Sequence, residues 1–210
     1  MHGRRLTWLV GGIGLIACGV AGVIRGSVLG APATGAVLTL IADVLWAGAI
    51  LLLAFGVNRE GSVVARKPLG VVASAVVALW PATHTLVNLL AGPYDLQQAD
   101  DWQLWGYVSM VLPLVVGLIA AMSIARTGVV PAPWNWAPLG VLGIQSVTWL
   151  VPQLIGAASP GTLLEMPGLV TGLGSIGFLA STLGLGIPAV VLANRSRART
   201  VPVFPSSTSD

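Results

Sequence analysis

The sequence predicts an all-α polytopic membrane protein, a bundle of six transmembrane helices with both termini on the cytoplasmic side. Three observations lead there. Only 8% of the residues are charged while 55% are hydrophobic, against about 25% charged in a soluble domain. Six apolar runs follow one another, near 6–24, 36–57, 69–91, 103–125, 137–156 and 168–193, each close to the roughly 20 residues that cross a bilayer as a helix. Cytoplasmic loops retain Lys and Arg. With the N-terminus inside, nine of the ten basic residues fall inside and only Arg25 falls outside.

Span one follows Arg4 and Arg5. Its basic start resembles a signal peptide, and Leu15-Ile16-Ala17-Cys18 resembles a bacterial lipobox. Five further spans follow, however, and Gly14, Cys18 and Gly22 form a small-xxx-small stripe suited to helix packing. Cys18 is therefore read as a packed small residue, and a single cysteine permits no internal disulfide. Span two contains Asp43, and span three contains Pro81, His84 and Asn88. Span four holds Tyr107, Ser109 and Pro113; span five holds Gln145, Trp149, Pro152 and Gln153. Span six contains Thr171, Ser175 and Pro188, with Gly168, Gly172, Gly174, Gly177 and Gly184 expected as helix contacts. The four intramembrane prolines should each free a backbone carbonyl one turn back. Trp8, Trp134 and Trp136 at the inner side and Trp102 and Trp105 at the outer side fit an aromatic belt.

Connections are short, so residues 1–193 read as one transmembrane domain. Residues 194–210 are basic, then polar, and read as a disordered cytoplasmic tail. Pro-Leu-Gly-Val occurs at 68–71 and again at 138–141. One reading is a duplicated helical hairpin, spans two and three repeated as spans four and five. The other is a pair of independent helix starts, because proline suits the first helical turn.

His84 and Asp43 each lie about eight residues from the outer end of their span, or roughly 11 Å deep at 1.5 Å per residue. An Asp at a helix centre costs about 2.5–3.5 kcal/mol on insertion scales. The expected remedy is an Asp43–His84 pair, with Asn88 one turn further out on the His84 face. Tyr107, Gln145, Gln153 and Ser175 extend this candidate polar pocket in the outer half. Ionisable residues inside a membrane are functional candidates by default, whereas Ser, Thr and Gln also act as structural glue.

The same residues exclude several activities. No segment outside the bilayer reaches the ~50 residues of a soluble domain, and no phosphate-binding loop or His-Glu-x-x-His zinc motif is present. His84-x-x-x-Asn88 resembles the corresponding motif of rhomboid intramembrane proteases. That family also requires Gly-x-Ser and a second membrane histidine, and the chain has neither: Leu173 stands where the glycine would precede Ser175, and the other histidine is His2. One membrane histidine disfavours bis-ligated haem. The single lysine, Lys67, lies in a cytoplasmic loop and rules out an intramembrane retinal Schiff base.

The Ala/Gly/Val/Leu/Arg bias and the stretch Val-Val-Pro-Ala-Pro-Trp-Asn-Trp-Ala-Pro-Leu at 129–139 make the chain similar to the small multi-pass integral membrane proteins of actinobacteria. That resemblance implies a bacterial plasma membrane and no particular activity. The expectation is a non-catalytic, membrane-embedded binding or accessory protein, with no cofactor, metal or nucleic acid. Its partners are the lipid bilayer and another membrane protein or a second copy of itself. The rival is a small proton-coupled carrier that uses Asp43 and His84.

Overall fold

Proline opens three helices and a positive-φ glycine follows α2 and α4, so these helix boundaries are set by local chemistry. In the computed structural model, residues 2–27, 32–58, 61–91, 99–159 and 166–195 are described. The helices are α1 (His2–Ser27), α2 (Pro32–Phe55), α3 (Pro68–Ala91), α4 (Ala99–Thr127), α5 (Ala137–Ala158) and α6 (Pro167–Arg195). Pro32, Pro68 and Pro167 begin α2, α3 and α6, and Pro138 is the second residue of α5. The first helical turn has no N–H partner to lose, so proline starts a helix there without penalty. After α2 and α4 the chain turns through Gly56 and Gly128, both at φ +67°, the left-handed conformation that a glycine adopts freely at a helix end. Each of the six helices is long and apolar enough to cross a membrane. The protein is a multi-pass membrane protein. Residues 196–210, which contain most of the expected tail, lie outside the described residues, as do the loop acids Asp95 and Glu165.

Each helix packs on its neighbours in sequence, and α1 packs on α6, which closes a ring. The α4–α5 contact is the sparsest of the six. The tightest seams flank α1, and its glycines explain why. Towards α2, a methyl group on Gly11 would meet Leu53 at 2.7 Å and one on Gly14 would meet Ala49 at 3.1 Å. Cys18 continues this edge: it is buried and its Sγ–H donates to the Ala42 carbonyl at 3.3 Å. Towards α6, Gly12 and Gly186 cross backbone to backbone. A Cβ on Gly12 would lie 2.8 Å from the Gly186 oxygen, and one on Gly186 would lie 3.0 Å from the Gly12 oxygen. Between lipid-embedded helices there is no hydrophobic gain from hiding oil in oil, so close van der Waals approach is what holds them together.

The glycines of α6 divide differently from the sequence expectation. Gly177 meets Thr148 and Gln145 of α5, and Gly184 meets Val141. Gly168, Gly172 and Gly174 have open space where a side chain would stand. None of these three positions is in close contact with a neighbouring helix, and composition does not reveal which glycines are.

The end of the ring where α1 begins and α6 ends is plugged. Residues 56–58 and 61–67 fold onto the start of α1: the Trp8 indole donates to the Gly61 carbonyl at 3.1 Å, and the Thr7 hydroxyl accepts the Val57 N–H at 2.9 Å. The Thr127 hydroxyl reaches the Val63 carbonyl at 3.1 Å and ties this loop to the end of α4. Arg4 lies over the Trp8 ring at 4.7 Å and donates to the Val129 carbonyl at 2.5 Å. Trp8, Val130, Leu192 and Ala193 form a buried apolar cluster, with Trp134 packed against it. Trp8 and Trp134 therefore serve as plug rather than as interfacial belt, whereas Trp136 is exposed.

Two intramembrane prolines are matched to tryptophans on the preceding helix. Proline cannot donate to the carbonyl four residues back, so Pro81 frees the Val77 oxygen and Pro113 frees the Ser109 oxygen. The Trp46 indole of α2 donates to Val77 at 3.2 Å, and the Trp80 indole of α3 donates to Ser109 at 3.2 Å. Without water, an unpaired carbonyl in the bilayer core is expensive. The two indoles remove that penalty and fix α2 to α3 and α3 to α4.

Candidate functional site

The ring surrounds a central, partly open cavity of about 760 Å³, within the 300–1,000 Å³ range of small-molecule sites. Every helix contributes one stripe to its wall. On α4 the stripe is Gly106, Ser109, Pro113, Gly117, Ala120 and Ile124, the three- and four-residue steps of a single helical face. The floor at the plugged end is apolar, made of Trp8, Leu53, Val63, Val130, Trp134 and Leu192. Towards the other end the wall gains Asp43, Thr85, His84, Thr39 and Arg25. Trp46, Trp80, Trp149 and Phe178 line the middle.

Asp43 and His84 both line this cavity but do not pair. Asp43 is 9% exposed, and its Oδ2 accepts the Thr85 hydroxyl at 2.7 Å. His84 turns the other way. Its Nδ1 lies 3.1 Å from the Asn88 amide nitrogen on its own helix, and its ring stacks on Trp105 of α4 at 6.0 Å and 17°. Trp105 in turn packs on Trp80 at 5.9 Å. The physical reason is rotation. Adjacent residues on a helix point about 100° apart, so Thr85 faces α2 while His84 faces α4. The expected shared proton between Asp43 and His84 is thus replaced by a hydroxyl-to-carboxylate bond from the next residue.

Among the other expected pocket residues, Gln145 lines the cavity. Asn88 is exposed and is reached only through His84. Tyr107 is 58% exposed, Gln153 is exposed, and the Ser175 hydroxyl is spent on the Thr171 carbonyl of its own helix; none of the three lines the cavity. Thr85, Thr39 and Arg25 were not among the expected residues. The available signal for Thr85 was its place beside His84, one residue round the helix. The signal for Thr39 was its position one turn from Asp43. Arg25 donates to Thr39 Oγ1 at 3.2 Å, so the one basic residue assigned to the outer side stands at the mouth of the cavity. Among the described residues no group of three or more metal-ligating side chains is present.

The Thr85 contact gives a direct expectation. Thr85→Val keeps the side-chain shape and strips the carboxylate of its donor, which should cost about 1–3 kcal/mol for a buried polar group left unpaired. His84→Leu leaves that bond intact and should lower the thermal midpoint in detergent by less. Equal midpoints for the two variants would contradict the assignment of Thr85 as the partner of Asp43.

No protein-family model, curated protein or solved structure matches the chain.

Proposed function

We propose that the protein is a non-catalytic, membrane-embedded binding protein that holds an amphipathic small molecule in the central cavity of the ring. In this reading the termini face the cytoplasm of a bacterial cell. The observation behind it is the cavity itself: about 760 Å³, an apolar floor, and polar groups gathered towards one end. Such a gradient matches a molecule with an oily body and a polar head.

A carrier is the second reading, supported by the sealed floor and by a polar wall near the opposite end, as one state of an alternating-access cycle would have. It now rests on Asp43 alone, since His84 is engaged elsewhere.

The test is photolabelling in lipid nanodiscs with a neutral alkyl phenyldiazirine, followed by peptide mapping. Saturable labelling is expected at Leu114 and Leu185 inside the cavity, beside unsaturable labelling at exposed Leu40 and Leu86. Gly106 and Gly174 line the cavity and have open space at the Cβ position. Gly106→Phe with Gly174→Phe should occupy part of the cavity without straining the fold and weaken the saturable component. Gly168→Phe, which has equal room but lies away from the cavity, should leave it unchanged. Labelling confined to lipid-facing residues, or unaffected by the double variant, would refute the reading.

A further inference from the structure

The geometry points to a lipophilic cation as the ligand of this cavity, its charged group held at Asp43 and its apolar body lying towards the floor; this rests on the binding reading above. The first support is the carboxylate. Asp43 is about nine-tenths buried and on the cavity wall, and among the described residues its one hydrogen bond is that from Thr85 to Oδ2. No Lys, Arg or His among the described residues forms an ion pair with it. A buried carboxylate with a free oxygen facing an apolar space favours a positive partner.

The second support is a census of donors. The Trp46 and Trp80 indoles are committed to the Val77 and Ser109 carbonyls. The Cys18 thiol goes to the Ala42 carbonyl, and the Thr39, Ser109 and Ser181 hydroxyls go to carbonyls within their own helices. What these groups still offer a ligand is lone pairs and aromatic surface. Both attract cations, the ring faces through the negative charge concentrated on the aromatic π surface. An anion would still find the Gln145 amide, the Ser74 hydroxyl and the Trp134 and Trp149 indoles, all neutral donors, and Arg25 is the one guanidinium on the wall. Arg25 is exposed and bonded to Thr39, one turn or about 6 Å of rise from Asp43. It sits outside the buried acid and contributes a modest like-charge barrier to entry.

Two ions of the same shape and opposite sign test this in the photolabelling system. Tetraphenylphosphonium should displace the saturable label at Leu114 and Leu185, and tetraphenylborate should require roughly tenfold more or fail, a difference of about 1.4 kcal/mol. Asp43→Asn should remove that preference while the neutral diazirine still labels the cavity. Arg25→Gln should strengthen phosphonium displacement about two- to threefold, as expected for one partly screened charge. Equal displacement by the two ions, or an unchanged phosphonium preference in Asp43→Asn, overturns the cation assignment and leaves the cavity reading intact. Absence of any saturable label in the wild type removes both. If Asp43→Asn fails to fold, the comparison of the two ions on the wild-type protein still decides the matter.

Discussion

Replacing Gly186 with leucine is expected to break the ring at its closing seam. The Cβ alone would lie 3.0 Å from the Gly12 carbonyl oxygen and 3.2 Å from the Leu15 Cβ. Neither atom is the far end of a flexible side chain, so α1 and α6 must separate. Overpacking of this kind costs about 1–3 kcal/mol, and a Leu brings three more carbons than the Cβ. Gly12→Leu should behave alike, since its Cβ would stand 2.8 Å from the Gly186 oxygen. Gly172→Leu, on the same helix but with open space, serves as control and should keep the wild-type midpoint. Thermal unfolding followed by size-exclusion chromatography in detergent reads all three. A Gly186→Leu protein as stable as Gly172→Leu would mean that the two backbones do not meet.

The second large effect concerns Trp46 and Pro81. An interhelical hydrogen bond in a membrane averages about 0.6 kcal/mol, with the largest near 1.7. The Trp46 bond should approach the upper figure, because the Val77 carbonyl has no helical donor to return to. Trp46→Phe should therefore cost about 1.5 kcal/mol. In a Pro81→Ala background the helix regains its own N–H, Val77 is satisfied within α3, and the same Trp46→Phe change should cost little beyond lost packing. A double-mutant cycle measures this coupling directly. Additive single-variant effects would show that the indole and the proline act independently. Trp80 and Pro113 form a second, parallel pair on which the cycle can be repeated.

Depth along a helix and direction around it are separate matters in this fold. The six spans, their lengths and their order were legible because a bilayer demands about 20 apolar residues per crossing, and the chain meets that demand six times. The depth of Asp43 and His84 could likewise be counted at 1.5 Å per residue. The need of Val77 and Ser109 for a foreign donor follows from Pro81 and Pro113 alone.

Direction around each helix was another matter. Polar residues on different helices can share a depth and still face away from one another. Tyr107, Gln153 and Ser175 stand away from the cavity, while Thr85 reaches Asp43. The glycines of α6 looked alike in sequence, yet only Gly177, Gly184 and Gly186 meet a neighbour closely. Trp8 sat where a belt residue would and became the centre of a plug because the turn holding Gly61 and Val63 folds over it. Six apolar runs dictate a six-span membrane protein, and its buried acid and helix-breaking prolines dictate which groups need partners. Which partners they find, and where the cavity lies, depends on how the helices pack. A step of one residue turns a helix by about 100°, so facing is settled by the packing of all six helices at once.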